Sequence, residues 1–126
     1  MKFICAGYPK TGSKSCSNAL RKLGYNVADY METLEFLPFI WRDYVDGKAT
    51  IEDVISEYEK HGFDTNQDLP GNLLWEDLYR GMLKKDKNTK VILTVRDNDE
   101  VWWKSWCGFV TQEAQRHSVC GLSMQG

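Results

Sequence analysis

The residues best suited to chemistry lie near the start of the chain, in a loop between an apolar run and a helical pattern. They read Ala6-Gly7-Tyr8-Pro9-Lys10-Thr11-Gly12-Ser13-Lys14-Ser15. A glycine-bearing loop that leads from a buried strand into a helix leaves several backbone N–H groups without partners and directs them at one point. Together with the helix dipole, these groups form a binding site for an anion. Gly12 lets the backbone approach closely, and Lys10 and Lys14 add positive charge.

The loop is open to more than one interpretation. Gly7 and Gly12 have the spacing of the Walker A pattern, G-x-x-x-x-G-K-[ST]. Ser13 intervenes before Lys14, however, so that lysine stands one position late. A magnesium-dependent phosphotransferase or NTPase would use Lys14, with Asp97 as the nearby acid for the metal. The plain alternative is a glycine turn between a strand and a helix, with exposed polar residues.

The same loop resembles the phosphosulfate-binding loop of sulfotransferases, P-K-[ST]-G-[ST]-[TK]-[SW], which residues Pro9 to Ser15 match throughout. Two further segments strengthen the resemblance. One is the run Val91-Ile92-Leu93-Thr94-Val95-Arg96-Asp97. The other is Gln67-Asp68-Leu69-Pro70, which is similar to the H-L-P string of cytosolic sulfotransferases, with Asp68 in place of the catalytic histidine. On these residues the chain is identified as a member of the sulfotransferase-like family of P-loop proteins.

The resemblance implies a donor, 3′-phosphoadenosine 5′-phosphosulfate, and a role for each matching residue. The residues that would hold the 5′-phosphosulfate are Pro9, Lys10, Thr11, Gly12, Ser13, Lys14 and Ser15. Lys10 would also stabilise charge on the leaving oxygen, and Asp68 would accept the proton of the acceptor's hydroxyl or amine. Asp68 could instead cap a helix or form a salt bridge in a loop. Arg96 would bind the 3′-phosphate together with Ser105, and no metal is implied.

The assignments to the 3′-phosphate have alternatives. Arg96 could pair with Asp97 or Asp99 instead of a ligand. Ser105 lies nine residues beyond Arg96, where cytosolic sulfotransferases usually have eight, and Lys104 occupies the eighth position. The second contact to the 3′-phosphate therefore stays open between Lys104 and Ser105.

The apolar pattern along the chain predicts strands that alternate with helices. Strands are predicted at residues 2–7 and 90–95, with a weak candidate at residues 26–29. Helices are predicted at residues 13–23, 34–45 with an interruption at Pro38, 50–61, 71–84 and from about 97 onward; residues 63–70 are expected to be extended or irregular. The apolar face of the first helix is predicted to carry Cys16, Ala19, Leu20 and Leu23, and Gly24 is expected to end that helix. Thr50 and Asp53 resemble a capping box. The alternation predicts an α/β fold of the P-loop NTPase type, with a parallel sheet flanked by helices.

The length of the chain fits one domain. Residues 1–117 are expected to form the P-loop domain, and residues 118–126 a flexible tail because they carry little pattern. Members of the resembled family are substantially longer, so the domain is expected to be incomplete on its C-terminal side. It would then be a fragment, a degenerate product or one half of an intertwined homodimer. A non-enzymatic nucleotide-binding module is a further interpretation.

Composition narrows the choice of partners. The net charge of −2 and the pI of about 5.7 argue against a nucleic acid partner. No stretch approaches the ~20 apolar residues that cross a bilayer, and the first seven residues are too short for a signal peptide. The four cysteines lack C-x-x-C spacing, which favours reduced thiols and a cytoplasmic protein. The acceptor is expected to be a small molecule held by residues 30–66, where Trp41 and Tyr44 could line an apolar pocket.

Overall fold

The computed structural model describes residues 1–8 and 11–119, with side chains as far as residue 112. The strands are β1 (Phe3–Ala6), β2 (Val27–Ala28), β3 (Thr65–Asn66) and β4 (Lys90–Leu93). The helices are α1 (Ser13–Lys22), α2 (Tyr30–Phe36), α3 (Pro38–Val45), α4 (Ile51–Lys60), α5 (Trp75–Leu83) and α6 (Asp99–Val119). The predicted α/β class with parallel strands is confirmed.

The strands form two parallel pairs, β1 with β4 and β2 with β3. One side chain joins the pairs: Cys5 N donates to Asn66 Oδ1 at 3.0 Å, and Asn66 Nδ2 donates to Cys5 O at 2.8 Å. At the other end of β1, Lys2 N donates to Asp64 O at 2.6 Å. The two pairs therefore lie side by side in the order β2-β3-β1-β4, all in one direction, as two two-stranded sheets that meet where β3 lies beside β1. Their carboxyl ends share one edge.

Helices cover both faces of β1, whereas β4 at the edge is partly exposed. Successive side chains of a strand point to opposite faces, and β1 obeys this rule with buried residues on each side. Ile4 packs into a cluster with Trp41 of α3, Tyr58 of α4 and residues of α5. Phe3 and Cys5 pack on the opposite face, where Leu20 of α1 covers them. The result is the layered arrangement expected for strands that are buried on both faces.

Several local predictions are confirmed by the geometry. Gly24 follows α1 with a φ of 93°, the left-handed conformation that commonly ends a helix at glycine. Thr50 accepts from Asp53 N at 3.2 Å, and Asp53 accepts from Thr50 N at 2.9 Å, which completes the capping box. Pro38 lies in the first turn of α3, so the helical stripe restarts there.

Residues 63–70, expected to be extended or irregular, contain the short strand β3, both of whose residues are polar. Other predicted boundaries were wrong. β4 stops at Leu93, two residues before the predicted end, and α5 begins at Trp75, one turn later than predicted. Leu23 was placed on the apolar face of α1 but is 73% exposed, whereas Ser17 is buried. Helix α1 therefore packs against the strands with the face that carries Ser17, and not with the position of Leu23.

The predicted division into a domain and a tail stays a prediction. Helix α6 continues to Val119, and residues 120–126 lie outside the described part of the chain. Across the described residues, no helix is both long and apolar enough to cross a membrane.

Candidate functional site

A cleft of about 1080 Å³ opens at the carboxyl ends of β1 and β4. Its walls include Gly7, Tyr8 and Thr11 after β1, Thr94 and Arg96 after β4, and Trp102 of α6. The chain runs from β1 to β2 on one side of the sheet, while β4 pairs with β1 on the other side. Ligands of open α/β sheets bind at such a reversal of strand order, outside the carboxyl ends. The cleft therefore has the position of a ligand site.

Gly7 is required by the close packing of the two strand ends. Its φ is +135°, which side-chain-bearing residues rarely adopt. A Cβ atom at this position would lie 2.6 Å from Thr94 O and 2.8 Å from Thr94 Oγ1. Only glycine lets the loop after β1 approach the segment after β4 this closely.

The loop is fastened to β4 through hydroxyl groups. Thr11 Oγ1 donates to Tyr8 O at 2.6 Å and lies 2.8 Å from Thr94 Oγ1. Thr94 N donates to Ala6 O at 3.1 Å. The Thr11 hydroxyl, which the sequence suggested as a ligand donor, thus already has two partners within the protein. Its contribution is to shape the loop.

The first turn of α1 presents backbone N–H groups that no described side chain caps. Gly12 precedes the helix with a φ of +84°, and no described side chain caps it. The first intrahelical bond runs from Cys16 N to Gly12 O at 3.0 Å, so the N–H groups of Ser13, Lys14 and Ser15 precede the helical ladder. The first turn also lacks acidic residues. An anion is the natural complement of this helix end.

Lys14 is paired with an acid that the sequence interpretation missed. Its Nζ lies 3.7 Å from Oδ2 of Asp29, whose side chain is only 5% exposed. Asp29 Oδ1 accepts from Tyr30 N at 2.8 Å and caps α2, while Oδ2 has no hydrogen-bond partner among the described residues. The signal in the sequence is an acid directly after a short apolar strand, Val27-Ala28-Asp29. Because Lys14 is 76% exposed, the pair is weak and Lys14 can turn to a ligand at small cost.

Arg96 lies three residues beyond the end of β4, in the wall of the cleft and exposed, and its contact to a 3′-phosphate stays a prediction. Within residues 1–8 and 11–119 it forms no ion pair with Asp97 or Asp99, the alternative partners that the sequence offered.

Ser105 and Lys104 are less well placed. The residues of α6 that line the cleft include Trp102 and Trp103, and neither Ser105 nor Lys104 is among them. Their contact to a 3′-phosphate stays a prediction.

Asp68 follows β3 and is engaged in its own loop. Its Oδ1 accepts from Leu69 N at 2.8 Å, and its backbone has a φ of +66°. Buried side-chain amides on either side of Asp68 hold this loop in place. Asn72 Nδ2 donates to Gln67 Oε1 at 3.0 Å, and Asn66 Nδ2 donates to Asn72 Oδ1 at 3.1 Å. Asp68 is half-buried and is not among the described residues that line the cleft. Its role as a base stays a prediction.

Cys5 lies beneath the loop and is chemically inert. Its side chain is fully buried in β1, and burial raises the pKa of the thiol to about 11, although the hydrogen bond between Cys5 and Thr65 opposes the rise. A thiol with this pKa stays protonated near neutral pH, so Cys5 is not a nucleophile.

Pro9 and Lys10, which the sequence placed in the site, lie outside the described residues. No group of three or more His, Cys, Asp and Glu in the described part of the chain could hold a metal ion.

Comparison with known families agrees with this geometry. Residues 2–124 match the family model described as Sulfotransferase domain, which is almost the whole chain. The protein therefore belongs to the sulfotransferase-domain family, and its fold is consistent with the P-loop type. No curated protein and no solved structure matches the chain significantly.

Proposed function

We propose that the protein transfers a sulfuryl group from 3′-phosphoadenosine 5′-phosphosulfate to a hydroxyl or amine of a small acceptor. One observation carries this proposal. The loop before the uncapped end of α1 and the side chain of Arg96 line one cleft, in a chain of the sulfotransferase-domain family. The donor bears two separate anionic groups: Arg96 in the cleft wall would meet one, and the backbone N–H groups of the first turn of α1, which follows the cleft-lining loop, would meet the other.

The residues present fit such a donor. Gly7 lets the loop lie directly against Thr94 in the wall of the cleft. The N–H groups of the first turn of α1 and the side chain of Lys14 would hold the 5′-phosphosulfate, and Arg96 would hold the 3′-phosphate. Tyr8 and Trp102, whose ring centroids are 5.3 Å apart, offer an aromatic wall to a purine.

The bound donor supplies an activated sulfuryl group on a good leaving group. The acceptor oxygen or nitrogen forms a bond to sulfur as the bond from sulfur to the bridging oxygen breaks. Asp68 would take the acceptor's proton, and Lys10 would stabilise the negative charge that develops on the departing bisphosphate. As in phosphoryl transfer, positioning and charge stabilisation are the main contributions of the protein. No metal is needed in this scheme because lysine and backbone donors occupy that role.

Calorimetry with adenosine 3′,5′-bisphosphate and adenosine monophosphate tests the donor site. We expect the bisphosphate to bind more tightly, and Arg96→Ala to remove roughly a 10- to 150-fold advantage, the equivalent of a charge-assisted contact. Arg80→Ala is the matched control, since Arg80 is 74% exposed on α5 and pairs with Glu76. Equal affinity of the wild type for both nucleotides would contradict the assignment of Arg96.

Two further measurements separate the competing functions. Tight binding of ATP only in the presence of magnesium would favour the phosphotransferase or NTPase interpretation, with Asp97 as metal ligand. Binding of the bisphosphate without transfer to any acceptor would favour a non-enzymatic module. A homodimer remains a proposal that sedimentation at micromolar concentration tests.

A further inference from the structure

The cleft carries negative charge that its proposed donor does not explain. Among the described residues of its wall, Arg96 is the only cation, whereas Glu76, Asp97 and Asp99 are acids. A donor with a phosphosulfate and a second phosphate is itself strongly anionic. The three carboxylates therefore repel the donor, and their natural complement is a different, positively charged molecule.

Tryptophan side chains line the same cleft. Trp75 directly precedes Glu76 at the start of α5, and Trp103 lies one turn after Asp99 in α6. Trp103 is 58% exposed, so much of its indole ring is accessible to a ligand. A positively charged group is attracted to carboxylates and also to the face of an indole ring. Acids and tryptophans in one cleft together suit a cation that has an apolar body.

The acids have few partners within the protein. Glu76 lies 3.7 Å from Arg80, but the two side chains are 63% and 74% exposed, so this ion pair is weak and Glu76 can turn to a ligand at small cost. Asp99 lies in the first turn of α6, where the helix dipole also favours an acid. Asp97 precedes that helix and forms no ion pair with another described residue.

The cleft has room for a second molecule beside the donor. Its volume of about 1080 Å³ lies above the range of about 300–1,000 Å³ that is usual for a pocket with one ligand. Trp75 and Glu76 belong to a stretch of the wall to which no part of the donor is assigned. Among the described residues, none from 30–66, the segment expected to hold the acceptor, lines the cleft.

A second, smaller cavity of about 250 Å³ lies at the carboxyl ends of β2 and β3, between α2, α3 and the loop after β3. None of its described lining residues also lines the cleft. A molecule in this cavity would therefore share no wall with the donor. The acceptor is assigned to the cleft for this reason.

We propose that the acceptor is a cation, a small molecule in which an aromatic or similarly compact apolar body carries both an ammonium group and a hydroxyl group. The inference rests on the proposed function and names its substrate class. Glu76 would pair with the ammonium group, and Trp75 and Trp103 would pack against the apolar body. A protonated amine has no free electron pair, so the hydroxyl oxygen is the atom that attacks sulfur. The positive charge of the acceptor also complements the anionic donor beside it.

Calorimetry on the full chain, saturated with adenosine 3′,5′-bisphosphate, compares tyramine with 4-ethylphenol. The two phenols are similar in shape, but only tyramine carries a positive charge at pH 7. We expect tyramine to bind at least about fivefold more tightly, the equivalent of one favourable contact between exposed charges or between a cation and an aromatic ring. The advantage should shrink at high salt, because charges that are open to solvent are screened.

Glu76→Gln tests the assigned carboxylate. It should weaken tyramine binding roughly threefold, as loss of an exposed ion pair does, and leave binding of 4-ethylphenol unchanged. Affinity for the bisphosphate should stay the same or rise, because a negative charge has left the cleft. Damage to the fold would instead weaken both ligands. Glu35→Gln is the matched control, since Glu35 is an exposed acid of α2 outside both cavities, and it should bind every ligand like the wild type.

Glu76→Lys reverses the charge at the same position. Tyramine should then lose its advantage over 4-ethylphenol, and the anionic phenol 3-(4-hydroxyphenyl)propionate should bind more tightly than either. The wild type should show the opposite order of the three phenols.

The outcomes distinguish the inference from the proposed function. Equal binding of tyramine and 4-ethylphenol to a protein that binds the bisphosphate overturns the inference and leaves the function standing. Equal effects of Glu76→Gln and Glu35→Gln on tyramine overturn it as well. Binding of tyramine, with the expected loss in Glu76→Gln, by a protein that fails to bind the bisphosphate confirms the cation site and contradicts the proposed function.

Discussion

The two halves of the sheet edge are built on different principles. At the carboxyl ends of β1 and β4, the site consists of backbone N–H groups, an exposed arginine and a glycine that permits close approach. At the carboxyl ends of β2 and β3, the cavity is shaped by packed side chains of α2, α3 and one loop. The first half is specified by charge and backbone conformation, and the second by tertiary packing. The Asn66 amide and the Lys14–Asp29 pair are two of the polar links between them.

The largest effect is expected in the charged half, from Lys10. If Lys10 stabilises the leaving oxygen, Lys10→Ala should lower the rate of the chemical step by roughly 10²–10³, as loss of an oxyanion-hole donor does. Lys14→Ala should mainly weaken nucleotide binding, because Lys14 meets charge that is already present before reaction. Single-turnover measurements with a phenol acceptor separate the two effects. The reverse pattern, with Lys14→Ala inactive and Lys10→Ala nearly silent, would favour the Walker-type interpretation.

An intermediate effect is expected at Asn66, whose side chain joins the β2–β3 pair to β1. Asn66→Ala should lower the free energy of unfolding by about 2–3 kcal/mol, because the buried N–H and C=O of Cys5 each lose a partner. Urea unfolding measures the change, and hydrogen exchange at Cys5 should accelerate. Asn18→Ala, on the exposed face of α1, is the control and should change stability by less than about 0.5 kcal/mol. An unchanged exchange rate at Cys5 would show that the two strand pairs do not depend on this amide.

The smallest effect is expected from the hydrogen bond between Tyr44 of α3 and Asp77 of α5. Tyr44 donates a hydrogen bond to Asp77, and this bond, assisted by burial, raises the pKa of Tyr44 to about 12. A raised pKa in the folded state means that the contribution to stability is complete below about pH 10, the ordinary tyrosine value. It is lost as the pH rises toward 12. Tyr44→Phe should therefore destabilise the protein by about 1.5 kcal/mol at pH 7.

Urea unfolding of Tyr44→Phe and the wild type at pH 7, 9 and 11 tests this pH dependence. The difference between the two proteins should be constant from pH 7 to 9 and smaller at pH 11. Asp77→Asn, which removes the charge but keeps the shape, should abolish the decrease. A difference that grows above pH 10 would have the wrong sign and would exclude the assigned bond.

The sequence predicted the elements whose signals are local. The capping box of α4, the restart of the chain at Pro38 and the glycine after α1 each depend on neighbouring residues, and each is present. Arg96 lines the cleft although β4 ends three residues before it, and its role toward a ligand stays a prediction.

The sequence did not predict the features in which a buried polar side chain finds its partner far away along the chain. Thr65 and Asn66 form a buried strand, yet both are polar, because Asn66 bonds to β1 rather than to water. Asp29 was missed for the same reason: its acidic side chain is buried because it caps α2 and faces Lys14. The exposure of Leu23 likewise depends on how α1 rotates against the sheet, which no local pattern records.

The pairing of β1 with β4 has a consequence for the order of folding. Thr11 and Thr94, whose hydroxyls meet in the cleft, are 83 residues apart in sequence. Bringing the two ends of so long a segment together has a substantial entropic cost, which must be met before the contacts between them form. Parallel pairing of strands that are distant in the sequence is therefore slow. A nascent chain can form α1 and its preceding loop early, but the walls of the cleft meet only after β4 has been synthesised. Nucleotide binding should therefore be among the last native properties to appear during refolding, later than helical circular dichroism.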